Sequence, residues 1–168
     1  MRPIVYLTAE IGIDSGLPTY SGGLGVLSGD HVRSAADLGL PLTAISLYYR
    51  QGYGRQHLSD DGAQRLDYPA TEPQRVLDKA GEFDLVLGDE RVHLIAWSRR
   101  VGAVTVFFLD AGAPENLPHW RAVSDQLYGG DQAARIRQEL VLGVGGFNLA
   151  QRLGLGQAQL HLNEGHTA

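Results

Sequence analysis

Within its first fifty residues the chain passes from a β-branched stretch, Ile4-Val5-Tyr6-Leu7-Thr8, through a glycine-rich loop into helical spacing, and then into a second apolar run. Few folds accept that order. Pro3 and the polar, glycine-rich residues after Ala9 bound the first stretch, which reads as a buried strand. From Leu24 onward Ser28, Val32, Ala35 and Ala36 recur at helical spacing, and Gly39 followed by Pro41 supplies a carboxyl-terminal cap and stop. The small residues on that face suit a helix lying close on a sheet. Leu42 to Tyr49 then reads as a second strand, and the whole as a βαβ unit with a right-handed crossover.

Beyond it, FDLVLGDERVHLIAW predicts two strands around a turn at Gly88-Asp89-Glu90-Arg91, and AVTVFFLDA predicts a third. These runs alternate poorly, so most are expected to be buried on both faces. Asp131 is placed to cap a long helix in which Ala133, Ile136, Leu140, Val144 and Phe147 share a face, Arg135 reaches Glu139 across one turn, and Gly154 follows the end. Gly143, Gly145 and Gly146 each cost such a helix about 0.5–1 kcal/mol relative to alanine, so close packing on the sheet is expected there. AQLHL reads as a last strand, followed by Asn163, Glu164, Gly165 and His166. The loop at the carboxyl end of a strand is where open α/β sheets bind ligands.

At 168 residues and 43% apolar content the chain can bury a core as one globular domain. A net charge of −5 without a basic cluster argues against nucleic acid, and no apolar run is long enough to cross a bilayer. With no cysteine there is no disulfide framework and no thiolate chemistry. The opening MRPIVYLTAE is too polar for a signal-peptide core, so a cytoplasmic location is expected.

Four glycines in ten residues, SGGLGVLSGD, mark the mouth of the first helix. A dinucleotide fingerprint fails in register, because Gly23-Leu24-Gly25 is followed by glycine at 29 rather than 28. A phosphate loop fails because Asp30 and His31, not Lys and Ser or Thr, follow the last glycine. A serine-hydrolase elbow fails because Ser28 comes one residue late. His161, Glu164 and His166 match no metal-binding spacing, so no metal is expected. Backbone N–H groups at a bare helix N-terminus attract an anion, and glycine lets a phosphate touch the chain. An anion site and a plain tight turn fit these residues equally.

TAEIGIDSGLPTYSGGLGVLSGDHVRSAADLGLPLTAISLYYRQGYGRQ resembles the amino-terminal region of the α-glucan phosphorylases, in their short bacterial and archaeal form. The resemblance resumes, in the family's order, in LYGGDQAARIRQELVLGVGGFNLAQRLGL and in HLNEGH. It implies an α/β fold: the Rossmann-like amino-terminal half of a GT-B glycosyltransferase, a mostly parallel sheet flanked by helices. Residues 1–168 would form part of that domain, with the carboxyl-terminal, cofactor-binding domain absent from this chain. The implied reaction transfers a terminal α-1,4-linked glucosyl unit to inorganic phosphate, giving α-glucose 1-phosphate with retention. The implied cofactor is pyridoxal 5′-phosphate on a lysine of the missing half, acting through its phosphate. With phosphate as nucleophile and a second phosphate nearby, the chain needs no matched pair of glycosidase carboxylates.

Carried over to these positions, the resemblance makes Gly22, Gly23, Leu24 and Gly25 the loop whose amides face the substrate phosphate and glucose. It puts Glu10 at the floor of the site and Asp131 beside the glucose pocket, as both cap and site residue. His166 lies by the sugar's 6-hydroxyl, with its carbonyl toward the anomeric carbon, and Asn163 and Glu164 support it. Gly23, Asp131 and His166 are the expected catalytic residues. Glu10, Gly22, Leu24, Gly25, Asn163 and Glu164 are the expected substrate-binding ones. Arg50, Arg55, Arg135 and Arg137 lie inside the same motifs, but ordinary ion pairs explain them equally well. The expected partners are an α-1,4-glucan and phosphate, with homo-oligomers of the full-length protein in view and the 168-residue chain inactive alone. A nucleotide-sugar glucosyltransferase of the starch synthase type is the alternative, although Tyr20 and Ser21 stand where that family has a lysine before its paired glycines. A non-catalytic glucan-binding half-domain is a further alternative.

Overall fold

The computed structural model describes residues 1–167. Eight strands and four short or medium helices among them follow the order β1 (Ile4–Thr8), α1 (Gly23–Asp37), β2 (Leu42–Leu47), β3 (Arg55–Leu58), β4 (Gln64–Asp67), β5 (Asp78–Leu87), β6 (Glu90–Val101), β7 (Val104–Asp110), α2 (Pro118–Arg121), α3 (Gln132–Leu140), α4 (Gly146–Arg152) and β8 (Gln159–Asn163). Six strands form one sheet in the order β5-β6-β7-β2-β1-β8. β8, β1, β2 and β7 run parallel, while β6 and β5 continue antiparallel as a hairpin. β3 and β4 make a separate, exposed hairpin. No helix among the described residues is long and apolar enough to cross a membrane.

The sheet separates two apolar layers, as its period-2 side chains require. Val5, Leu7, Ile45, Leu47, Leu94 and Leu109 face the α3–α4 side, together with Val141, Leu142, Leu149 and Ala150. Tyr6, Ala44, Trp97, Val106 and Phe108 face the other side and meet Val32 and Ala35 of α1. Each fully buried Leu or Val stabilises the fold by roughly 1.5–3 kcal/mol relative to exposure. α1 ends as expected: Gly39 takes a φ of +63°, its N–H donates to the Ala36 carbonyl, and that of Leu40 donates to Ala35. This is a Schellman closure.

Three expectations about the elements are corrected. Of the three central runs only β7 is buried at all but one position, Thr105, whereas β5 is the outer edge of the sheet and is largely exposed. Its turn is also tighter than expected, just Gly88-Asp89, with Leu87 opposite Glu90. The long helix is likewise not continuous, and the face shared by Ile136, Leu140, Val144 and Phe147 is not the one that packs on the sheet. Val141 to Gly145 form a π-helical turn between α3 and α4. The inserted residue rotates the rest of the helix by about one residue's angular step. Val141, Leu142, Gly145, Gly146, Leu149 and Ala150 face the sheet, while Ile136 (50% exposed), Val144 and Phe147 (38%) face outward. The expectation for the glycines holds at Gly145 and Gly146 but not at Gly143, where a Cβ would meet only the Thr167 carbonyl oxygen at 3.7 Å. A Cβ on Gly145 would lie 3.1 Å from Leu94, and one on Gly146 3.0 Å from Leu7.

Candidate active site

Thr8 of β1 lies opposite Asn163 of β8. That register brings the segments after both strands to one end of the sheet, where the loop before α1 and the loop before α3 also arrive. Among the described residues two non-glycine ones have left-handed backbones, Tyr128 (φ 58°) and Glu164 (φ 67°), and both are at this end. Such conformations cost about 1–3 kcal/mol each and concentrate at functional sites.

A cavity of about 300 Å³ opens between these segments, lined by Ala9, Tyr49, the Tyr128–Gln132 loop, Arg135, Glu139 and His166. Asp131 lines it, and its carboxylate accepts from the Ala134 N–H at 2.8 Å, so it is both cap and cavity wall. Arg135 donates to Glu139 at 3.3 Å and to His166 Nε2 at 2.8 Å. A guanidinium has no acceptor atom, so His166 Nε2 accepts and the neutral ring carries its proton on Nδ1. That Nδ1 is buried and has no partner among the described residues. The pairing with Arg135 therefore leaves a buried N–H donor on a residue that lines the cavity. Burial first, and then its contact with Glu10, push the Tyr128 phenol above its ordinary range, so it remains a donor.

Glu10 is 2% exposed, and its carboxylate is fully engaged. It accepts from Tyr128 Oη at 2.6 Å, from the Ser21 N–H at 2.8 Å and from the Gly22 N–H at 3.4 Å. Glu10 thus ties the loop before α3 to the glycine loop and does not line the cavity. Gly22 caps α1 without any side-chain hydrogen bond, and no acidic residue enters the first turn. A Cβ on Gly22 or Gly23 would meet nothing within 4 Å, whereas one on Gly25 would lie 2.3 Å from Tyr20 Cβ and 2.9 Å from Glu10. The loop is open at 22 and 23 and closed by packing at 25. Leu24 is half-buried.

Asn163 donates to Thr8 and to Ser28, each at 3.1 Å, and Tyr6 donates to Ser28 at 3.2 Å. This buried network fastens β1, β8 and α1 together beneath the site. Asn163 holds the site together from below, and Glu164 makes the left-handed turn that delivers His166. Tyr128, Arg135 and Ser28 escaped the sequence reading as site residues. All three carried a signal through their place in family stretches, Tyr128 and Arg135 in LYGGDQAARIRQEL and Ser28 in SGGLGVLSGD.

No family model matches the chain. It is 41% identical to the maltodextrin phosphorylase of Thermococcus litoralis, over 99% of this chain and 21% of that protein. It is 44% identical to the glycogen phosphorylase of Mycobacterium tuberculosis, over 97% of this chain and 20% of the relative. For the glycogen phosphorylase of Aquifex aeolicus the figures are 37%, 97% and 25%. The chain belongs to the α-glucan phosphorylase family. It corresponds to an amino-terminal part of the phosphorylase sequence and spans about a fifth to a quarter of the length of these relatives. Its fold is that of one Rossmann-like half of a GT-B glycosyltransferase. The phosphorylase segment superposes on the catalytic domain of starch synthase IV from Arabidopsis thaliana, solved with ADP and acarbose, with a TM-score of 0.61. That likeness covers 96% of the segment and 27% of the plant chain at 13% identity, and so speaks to the fold alone.

Proposed function

We propose that this segment supplies the glycine-loop side of the active site in an α-glucan phosphorylase. The longer protein then moves a terminal α-1,4-linked glucosyl unit onto inorganic phosphate and releases α-glucose 1-phosphate. One observation carries the reading: the phosphorylase likeness runs along almost the whole chain, and Asp131 and His166 line one cavity whose Tyr128 loop is tied to the glycine loop through Glu10. In this reading the free amides at the mouth of α1 hold phosphoryl or sugar oxygens, with Gly22 and Gly23 allowing close approach. His166 Nδ1 donates to a sugar hydroxyl, Asp131 borders the sugar, and Glu10 fixes the distance between the two loops as a positioning residue. Placement in a partly closed site is the chain's contribution to the rate.

Pyridoxal phosphate is the cofactor this family implies, but the residues here do not offer its attachment point. Lys79 is the chain's only lysine, and it lies on the outer strand β5, paired with Glu82 at 2.5 Å. The attachment lysine is assigned to the remainder of the longer protein, and no step is routed through the cofactor.

The decisive experiment measures glucose 1-phosphate release from maltodextrin and phosphate by the longer protein carrying this segment. Gly23→Val and His166→Ala are each expected to lower the rate about 100-fold or more, the scale of losing a preorganised donor. Rates unchanged in both variants overturn the site assignment, and absence of any phosphorolysis overturns the function. The 168-residue chain alone is expected to release no product.

A further inference from the structure

A second cleft, of about 260 Å³, lies on the other side of the glycine loop, between the Ser15–Ser21 loop, the segment after β2 and Pro69–Thr71. Two tyrosines line it with open ring surface: Tyr20, 37% exposed, and Tyr53, 50% exposed. Tyr20 is held rigidly. A Cβ on Gly12 would lie 3.2 Å from its ring, and one on Gly25 2.3 Å from its Cβ, so the tyrosine rests on glycine backbone. Besides the tyrosine hydroxyls, the polar lining comes from Ser15, Ser21, Gln51, Thr71 and Arg55, with no carboxylate. Gln51 accepts from Gln126 through its carbonyl at 3.0 Å, which leaves its own amide N–H groups to donate. Fixed aromatic faces interleaved with amide, hydroxyl and guanidinium donors suit a neutral polyhydroxylated ring: the C–H face stacks and the hydroxyls pair. A cation finds no counter-charge here, and an anion finds only one arginine.

We propose that this cleft is a binding site for an α-glucan chain, separate from the glucosyl cavity and divided from it by Tyr20-Ser21-Gly22. The Ser21 N–H donates to Glu10, which also holds the Tyr128 loop, so one wall serves both sites. The existence of the cleft is independent of the phosphorylase reading, but the identity of its ligand rests on it.

The test titrates maltoheptaose into the isotope-labelled 168-residue chain and monitors its backbone amide resonances. Shifts at Tyr20, Gln51, Tyr53 and Arg55 are expected. Tyr53→Ala should bind about tenfold more weakly, the scale of one lost aromatic face, while Tyr53→Phe keeps its affinity. If Tyr53→Ala loses its dispersed spectrum, Arg55→Ala, at an exposed strand end, takes its place with the same expected weakening. Shifts confined to residues 128–131 and 166 overturn the cleft and leave the phosphorylase reading intact. Equal affinity for cellopentaose overturns the α-glucan assignment. Absence of any shift also overturns the cleft, and phosphorolysis by the longer protein still decides the reading beneath it.

Discussion

A methyl group on Gly29 would sit 2.2 Å from the Gly12 carbonyl oxygen, and one on Gly25 2.3 Å from Tyr20 Cβ, but on Gly23 it would meet nothing within 4 Å. The glycines of one loop therefore answer to different constraints. Gly25→Ala and Gly29→Ala should each cost about 1–3 kcal/mol through overpacking, visible as a lowered thermal midpoint. Gly23→Ala should melt at or slightly above the wild-type temperature while phosphorolysis by the longer protein falls, which separates the open glycine from the packed ones. Glu10→Ala should cost the fold about 1–3 kcal/mol, because the buried carboxylate that ties the Tyr128 hydroxyl to the Ser21 N–H is lost. Glu10→Gln, which keeps one acceptor, should cost less, and denaturant titration measures both. From sequence the glycines could be located but not sorted, since the atoms that sort them belong to Gly12 and Tyr20. Glu10 was recognised, yet its partner Tyr128 is 118 residues away and no spacing rule connects them.

Among the elements, α1 was readable in detail because its cap, stop and small-residue face are all local. The helical stretch from Gln132 to Arg152 was not, because one π-helical turn displaces the apolar face and a uniform 3.6 period cannot anticipate it. The β3–β4 hairpin was also missed. Its two strands are exposed along their whole length, so they carry no burial pattern to detect. In the β5–β6 hairpin the Asp84 carboxyl is held at about 2, chiefly by its hydrogen bond to Arg91 and then by His93. A depressed carboxyl stabilises the fold at pH values above its ordinary range and loses that contribution as pH falls toward 2. The thermal midpoint should therefore drop between about pH 4 and pH 2, and Asp84→Asn should remove that component of the drop.

At the scale of the molecule, Ile136, Val144 and Phe147 form a groove with Leu160 and Leu162 of β8, which among the described residues pairs only with β1. An apolar groove beside an unpaired strand edge favours association. Sedimentation of the isolated chain should show a mass that rises with concentration, and Phe147→Glu combined with Leu162→Lys should return it to a monomer. A mass independent of concentration in the wild type would show that this face is tolerated in water.

β1 has β2 on one side and β8 on the other, so the first strand of this segment is completed by residues 159–163. Such long-range closure makes folding slow and late. Until those residues leave the ribosome, one edge of the central strand lies open and the Thr8–Ser28–Asn163 network lacks a member. Synthesis rate and chaperone access, as much as final stability, then set how much of this protein a cell can accumulate.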